Sequence, residues 1–238
     1  AWEQRQPLQL LRIDTVPDGI NPKKFALAAG IEQARGEVIV TTDADCVPPP
    51  GWLESLAGAF EEKVGAVVGV SPWHVDGKLW GGIVAFESLV TPVVVLAGVG
   101  HRRPFLAVGR NFAFRRQLYD CVAGYSSDLH IFSGDDDLLL QKISKVPSYR
   151  VVAVFSPESQ VPSRGAENLW VFFRQKRREA CEEKHAFRTS PAPIGRTRHE
   201  LHEAREPKIA VAACDGMEVL RIAHESTHDL KLAVFPQE

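Results

Sequence analysis

The chain has 238 residues, 45% of them hydrophobic and 24% charged, which is ordinary globular material with enough length to bury one substantial core. A formal net charge of -2 gives no general pull toward nucleic acid or anionic lipid, and no basic stripe interleaved with aromatics marks a nucleic-acid face. Cys46, Cys121, Cys181 and Cys214 are far apart, with no C-x-x-C pair, so the sequence reads as that of a protein in a reducing, cytoplasmic compartment.

Strand-like and helix-like segments alternate along the chain, which argues for an α/β fold. The first strand covers Leu8 to Ile13. The next segment, Lys23 to Gly36, reads as a helix, with Pro22 at its start and Gly36 at its end. It feeds a β-branched strand, Val38-Ile39-Val40-Thr41-Thr42, that ends in Asp43-Ala44-Asp45. Residues two apart on a strand share a face, and at a strand's carboxyl end they face the crevice where open α/β sheets bind ligands. Two carboxylates aimed together call for a cation. A hard divalent ion, Mg²⁺ or Mn²⁺, takes oxygen ligands and shares them with substrate phosphates, so the spacing points to a phosphate ester such as a nucleotide diphosphate. The other reading of the same residues is a solvated turn closed by Pro48-Pro49-Pro50.

Gly81 to Leu96 reads as a largely buried helix kinked near Pro92. The longest apolar run, Val90 to Val99, is interrupted by Thr91, Pro92 and Gly98 and falls short of the about 20 residues a membrane span needs. Asp135-Asp136-Asp137 form the acidic first turn of a helix over Leu138 to Ile143, a position that the helix dipole favours. Three consecutive carboxylates also repel one another, which raises the pKa of at least one.

Several motifs in order resemble the inverting nucleotide-sugar glycosyltransferases of family 2. They begin with Lys23, Ala26-Leu27 and Ala34-Arg35-Gly36-Glu37, and reach Asp43-Ala44-Asp45 and Trp52-Leu53. They continue with Gly109-Arg110-Asn111-Phe112-Ala113-Phe114-Arg115-Arg116, Gly124-Tyr125 and Gly134-Asp135-Asp136-Asp137-Leu138. Gln175-Lys176-Arg177-Arg178 is similar to the start of the family's Q-x-x-R-W motif. The resemblance spans roughly Lys23 to Arg178 and implies a GT-A fold, a Rossmann-like, mostly parallel sheet flanked by helices. It divides the chain into a glycosyltransferase core over 1–180 and a polar C-terminal tail over 181–238.

What the resemblance implies for chemistry is a metal-dependent transfer of a sugar, with inversion, from a nucleotide-diphosphate donor to a saccharide or lipid-linked acceptor. Asp136 matches the family's catalytic base, with Asp135 and Asp137 as supporting acids. Asp45 is the expected direct ligand of Mn²⁺ or Mg²⁺, and Asp43 the residue that meets the metal or the sugar-nucleotide. Lys23 and Asn111 are the other donor-binding residues; an ordinary first-turn lysine and a turn asparagine are their plain alternatives. Gln175 and Arg178 belong over the diphosphate or the acceptor, or else on a solvated helix face. In the family, the region of the 81–96 helix lies near the acceptor, so a lipid-facing groove and attachment of the full-length parent to the cytoplasmic face of a membrane are compatible with it.

The ends depart from the pattern. The family carries two further strands upstream, so the chain reads as N-terminally truncated, which makes an inactive glycosyltransferase remnant one alternative function. A nucleotidyltransferase-like enzyme is another, since it too needs a divalent ion and a phosphate leaving group. Glu179 stands where the family has Trp, and Pro191 to Pro207 reads as a linker. The tail also holds His224-Glu225-Ser226-Thr227-His228, an H-E-x-x-H pattern that on a helix would present two imidazoles to Zn²⁺ in a hydrolase, with Glu225 as base. Ser226 and Thr227 are poor helix residues for that purpose.

Overall fold

In a computed structural model, which describes residues 9–43, 46–74, 81–131, 134–164, 170, 173–174, 217–224 and 230–235, strand β1 (Gln9–Ile13) leads to helix α1 (Pro22–Gln33). Asn21 fixes where α1 starts. Its side-chain oxygen accepts from the backbone N–H groups of Lys23 at 2.9 Å and Lys24 at 3.2 Å, and Pro22 has no N–H to leave unpaired. The Asn21 backbone N–H donates to the Leu129 carbonyl at 2.7 Å and its side-chain amide to that of Ile131 at 3.3 Å. The cap thus ties the helix start to a segment over a hundred residues away.

The remaining elements are β2 (Val38–Asp43), α2 (Trp52–Gly58), β3 (Val64–Gly69), β4 (Trp73–His74), α3 (Gly81–Gly100), β5 (Phe112–Arg115), α4 (Arg116–Cys121), α5 (Asp135–Ile143), β6 (Arg150–Val154), β7 (Ser163–Arg164), β8 (Met217–His224) and β9 (Leu230–Phe235). Seven strands form one sheet in the order β1-β9-β8-β2-β5-β3-β6. β2 is parallel to β8 and β3 to β6, while β5 runs antiparallel to both β2 and β3. β9 is antiparallel to its neighbours β1 and β8. The α/β architecture is the one expected, but the sheet is mixed and not mostly parallel: all its strands but β5 and β9 run the same way, and because those two sit between the others, only the β2–β8 and β3–β6 pairings are parallel. Two of those strands, β8 and β9, come from the stretch after residue 181.

Alternation along β2 builds the two faces of the core. Ile39 packs with Leu27, Ile31, Phe114, Leu139 and Ile143 on the side of α1 and α5. Val38 and Val40 pack with Trp52, Leu56 and Phe60 on the side of α2. Near-continuous burial of β2 and β3 is what a strand covered on both faces requires.

Two expectations are corrected here. The 81–96 segment is a helix and runs on through Pro92 to Gly100, but it is not largely buried: Phe86, Leu89, Val90 and Val93 are all exposed. Its apolar spacing at three and four residues is genuine helical periodicity, and that stripe is turned to solvent. The second correction concerns the H-E-x-x-H pattern, because His224 ends strand β8 and the pattern does not open on a helix. Residues 225–229 lie outside the described residues.

Asn111 locks the α2 side of the sheet. It is fully buried; its side-chain oxygen accepts from the Trp52 indole N–H at 2.9 Å, and its amide donates to the carbonyls of Val70 at 2.9 Å and Ser159 at 2.8 Å. Gly69 is needed beside it, since a Cβ there would lie 2.2 Å from the Asn111 amide. Asn111→Ala would remove the bonds to the Trp52 indole and the Ser159 carbonyl and leave the Val70 carbonyl with the Val161 N–H, and the expected loss is about 2–4 kcal/mol of stability, read as a lower urea midpoint with an unchanged slope.

Candidate active site

The carboxyl end of β2 is where the buried strand emerges. Val38 to Thr42 are buried, and Asp43 is the first residue of the strand to reach solvent. Facing it is the amino terminus of α5, which begins after Gly134, a residue in the left-handed region at φ 65°. Leu138, Leu139 and Leu140 anchor α5 in the core, so its first turn, Asp135 to Asp137, is held at the crevice by packing further along. Lys23 enters from the first turn of α1. These three elements converge on one crevice, lined by Lys23, Asp43, Gly109, Tyr125, Asp135 and Asp136 among others.

The crevice is a balance of charge. The Lys23 ammonium lies 2.9 Å from Asp135 and 3.8 Å from Asp43, and Asp135 raises its pKa further above the ordinary lysine value against the opposing effect of burial. Burial would raise Asp135, but the neighbouring Lys23 charge and its hydrogen bond outweigh that and hold the carboxyl below its usual value. Lys23 acts on Asp136 less strongly than on Asp135. Burial first, and then the ionised Asp135 beside it, push Asp136 up to about 7. The two adjacent carboxyls thus separate into one that stays charged and one that can exchange a proton near neutrality, a division of the kind that acid–base chemistry uses.

The three acids of α5 have different surroundings. Asp137 turns to the chain before β5, where it accepts from the Ala107 N–H at 2.7 Å. Gly109, two residues on, makes room for Asp136: a Cβ at that position would sit 2.8 Å from the Asp136 carboxylate. The Gly109 carbonyl is fixed in turn by the Thr41 hydroxyl at 2.6 Å. Tyr125 closes the wall, fully buried, with its phenol pushed well above the usual range by burial. Sequence reasoning gave no role to Gly109, Thr41 or Tyr125; their signal was their place within the resembling motifs.

Behind this wall lies a second set of charges. Lys142 of α5 pairs with Asp128 and donates to the Gly124 carbonyl and the Ser127 hydroxyl, both at 2.8 Å. Lys24, fully buried, donates to the Asp128 carbonyl at 3.3 Å, and burial lowers its pKa. These bonds lock the 124–128 segment between α1 and α5.

Of the residues expected at the site, the structure brings together Lys23, Asp43, Asp135 and Asp136, with Asp137 at the edge. Asn111 is placed elsewhere: both its amide hydrogens and its carbonyl oxygen are engaged within the protein, so the donor contact expected of it gives way to the anchoring role described above. Asp45, Gln175 and Arg178 lie outside the described residues. Among the described residues no group of three or more metal-ligating side chains forms. The donor set at the crevice is nonetheless all oxygen and already gathered around a cation, the Lys23 ammonium, which fits a hard divalent ion.

The raised pKa of Asp136 has a consequence for stability. Its folded-state value of about 7 lies above the ordinary 3.8, so the folded state holds this proton more tightly than the unfolded chain. That contribution is complete below about pH 4 and is lost as the pH rises through about 7. Asp136→Asn removes the charge and should melt at a higher temperature than the parent at about pH 8 without added metal, with the gain gone near pH 4. Melting curves across that range that show the same difference at every pH would contradict the assignment.

Residues 23–123 match the family model described as glycosyl transferase family 2. No curated protein matches the chain. The matched stretch contains α1, β2, Gly109 and β5, and so carries Lys23 and Asp43 at the crevice. The match is to sugar transfer and not to nucleotidyl transfer. The α/β sheet is consistent with a GT-A fold, and the match over residues 23–123 supports a glycosyltransferase similar to family 2.

Proposed function

We propose that the chain transfers a sugar, with inversion and with the help of a divalent cation, from a nucleotide-diphosphate donor to an acceptor hydroxyl, with Asp136 as the base. What supports this reading is the gathering of Asp136, its pKa raised to about 7 by burial and by Asp135, in one crevice with Asp43 and Lys23. A base for the incoming hydroxyl and positive charge for the departing diphosphate are the two forms of help the reaction needs.

Asp136 accepts the acceptor's proton as its oxygen attacks the anomeric carbon from the face opposite the diphosphate. The bond from that carbon to the diphosphate oxygen breaks, and the electron pair leaves with the nucleoside diphosphate. Lys23, at 40% side-chain exposure, contributes positive charge toward that leaving group. Asp43 and Asp45 would hold Mn²⁺ or Mg²⁺, which supplies further charge stabilisation when bound. Asp135 stays ionised through Lys23 and keeps the pKa of Asp136 high, while Asp137 fastens the chain that carries Gly109. Gln175 and Arg178 complete the diphosphate or acceptor end on the strength of the resemblance.

Removing a base affects the transition state more than the ground state. Asp136→Asn should therefore lower kcat by about 10²–10⁴-fold while donor binding, measured by calorimetric titration with UDP-, GDP- and dTDP-sugars in Mn²⁺, stays near that of the parent. Asp43→Asn should weaken donor binding itself. Equal loss of binding in both variants would make Asp136 a ligand and not a base. Because the base must be ionised, kcat/KM should rise with pH through about 7 and level off above it.

Gly109→Ala offers a separate check on geometry. The added methyl group must move the Asp136 carboxylate, so kcat should fall while the melting temperature stays close to that of the parent. Parental activity in this variant would show that the position of the Asp136 carboxylate is not critical.

A further inference from the structure

Two buried polar groups beside the crevice have no hydrogen-bond partner, the Ser71 hydroxyl and the Arg110 Nε–H. Ser71 is 9% exposed and Arg110 is partly buried. The two residues are in contact, since a terminal N–H of Arg110 donates to the Ser71 carbonyl at 3.3 Å. No carboxylate among the described residues forms an ion pair with Arg110. A guanidinium is always charged, and a buried donor left unpaired costs stability. Two such groups side by side call for an occupant.

The register of the sheet places the pair. Phe112, the first residue of β5, lies across from Thr41 of β2 on one side and from Val68 of β3 on the other. Past these pairs, Asp43, Arg110 and Ser71 stand along one edge, where the carboxyl ends of β2 and β3 open to ligands. The Arg110 side chain reaches away from β2, toward the end of β3. Its position is fixed from the next residue, because the Asn111 amide donates to the Val70 carbonyl at 2.9 Å. The 110–111 and 70–71 pairs are thus tied to each other at two points. Gly109, the residue before Arg110, lies against Asp136. Charged and polar donors are therefore held on a rigid mount next to the base, the condition that a binding site has to meet.

We infer that Arg110 and Ser71 form a subsite for an oxyanion, a carboxylate or phosphate group carried by the acceptor saccharide. The fork of donors on Arg110 and the Ser71 hydroxyl match the oxygens of such a group, whereas a neutral sugar hydroxyl leaves the arginine charge uncompensated. In an inverting transfer the acceptor approaches from the face opposite the departing diphosphate, so a group held beside the cradle of Asp136 belongs to the acceptor. That assignment to the acceptor rests on the proposed sugar transfer; the oxyanion site itself stands on the two unpartnered donors. An anion bound there fixes which acceptor hydroxyl meets Asp136.

The test is binding in the absence of donor and metal, measured by calorimetric titration and by the NMR resonance of the Arg110 Nε–H, which Arg110→Gln identifies by its loss. Glucuronate and glycerol phosphate are the anionic probes, and glucose is the neutral one. At least one anionic probe should shift that resonance and bind with a Kd of about a millimolar, more weakly as salt is added, while glucose does neither. Arg110→Gln should abolish the binding. Ser71→Ala should weaken it about tenfold while the melting temperature of the free protein holds or rises, because an unpartnered buried hydroxyl has been removed. A hydroxyl with a purely structural role would show the reverse, a lower melting temperature and parental binding. Lys23→Gln and Asp136→Asn should bind the anionic probes like the parent, which keeps this result apart from the assignment of the base. A parent whose Arg110 resonance responds to neither anion overturns the proposal. So does binding that is lost in Lys23→Gln and kept in Arg110→Gln, or a response to UDP alone, since the anion would then be the departing diphosphate.

Discussion

Three carboxylates crowd one crevice, and a buried cluster of like charge must either take up protons or find a counter-charge. Lys23 supplies that counter-charge unequally: its ammonium is within hydrogen-bond reach of Asp135, further from Asp43, and acts on Asp136 less strongly than on Asp135. The inequality decides which acid stays ionised and which becomes a proton acceptor. It depends on the start of α1, because Lys23 sits in the first turn that Asn21 caps. A shift of that turn by one residue would carry the ammonium to another face of the helix.

The cap itself is held from behind. Asn21 bonds to the carbonyls of Leu129 and Ile131, and the segment before them is fastened by Asp128, Lys142 and Lys24. Buried ion pairs of this kind are weak evidence for stability, since desolvation opposes their attraction. Their value here is positional. Lys142 belongs to the helix that carries Asp135 and Asp136, and Lys24 adjoins Lys23, so the same charged set fixes both partners of the front ion pair.

How much of this the sequence revealed follows the range of the interactions. α1, β2 and α5 were legible because their signals are local: a proline at a helix start and a glycine at its end, β-branched residues before an acidic pair, acids in a first turn. The apolar stripe of α3 was legible as a helix but not as an exposed one, since periodicity gives a face and not what covers it. Asn111 was misjudged because the groups that hold it, Trp52, Val70 and Ser159, come from three distant segments. Gly109 drew no attention for a related reason: its importance is the space it leaves for a side chain 27 residues away. β8 and β9 pair across most of the chain's length, and no local pattern announces such a partner.

β5 runs against its neighbours β2 and β3. Its beginning therefore lies beside their carboxyl ends, so the crevice receives the chain as it enters this strand, while β2 delivers its acids on the way out. The connection between α3 and β5 is an entrance of this kind, pinned at Gly109 by Thr41 and at Ala107 by Asp137. The exposed residues His101 to Arg103, upstream of those two pins, take no part in the register of β5 in the sheet. A reversed strand in the middle of a mixed sheet thus provides a place where the rim of the crevice can diverge between related proteins while the acids at its floor keep their positions.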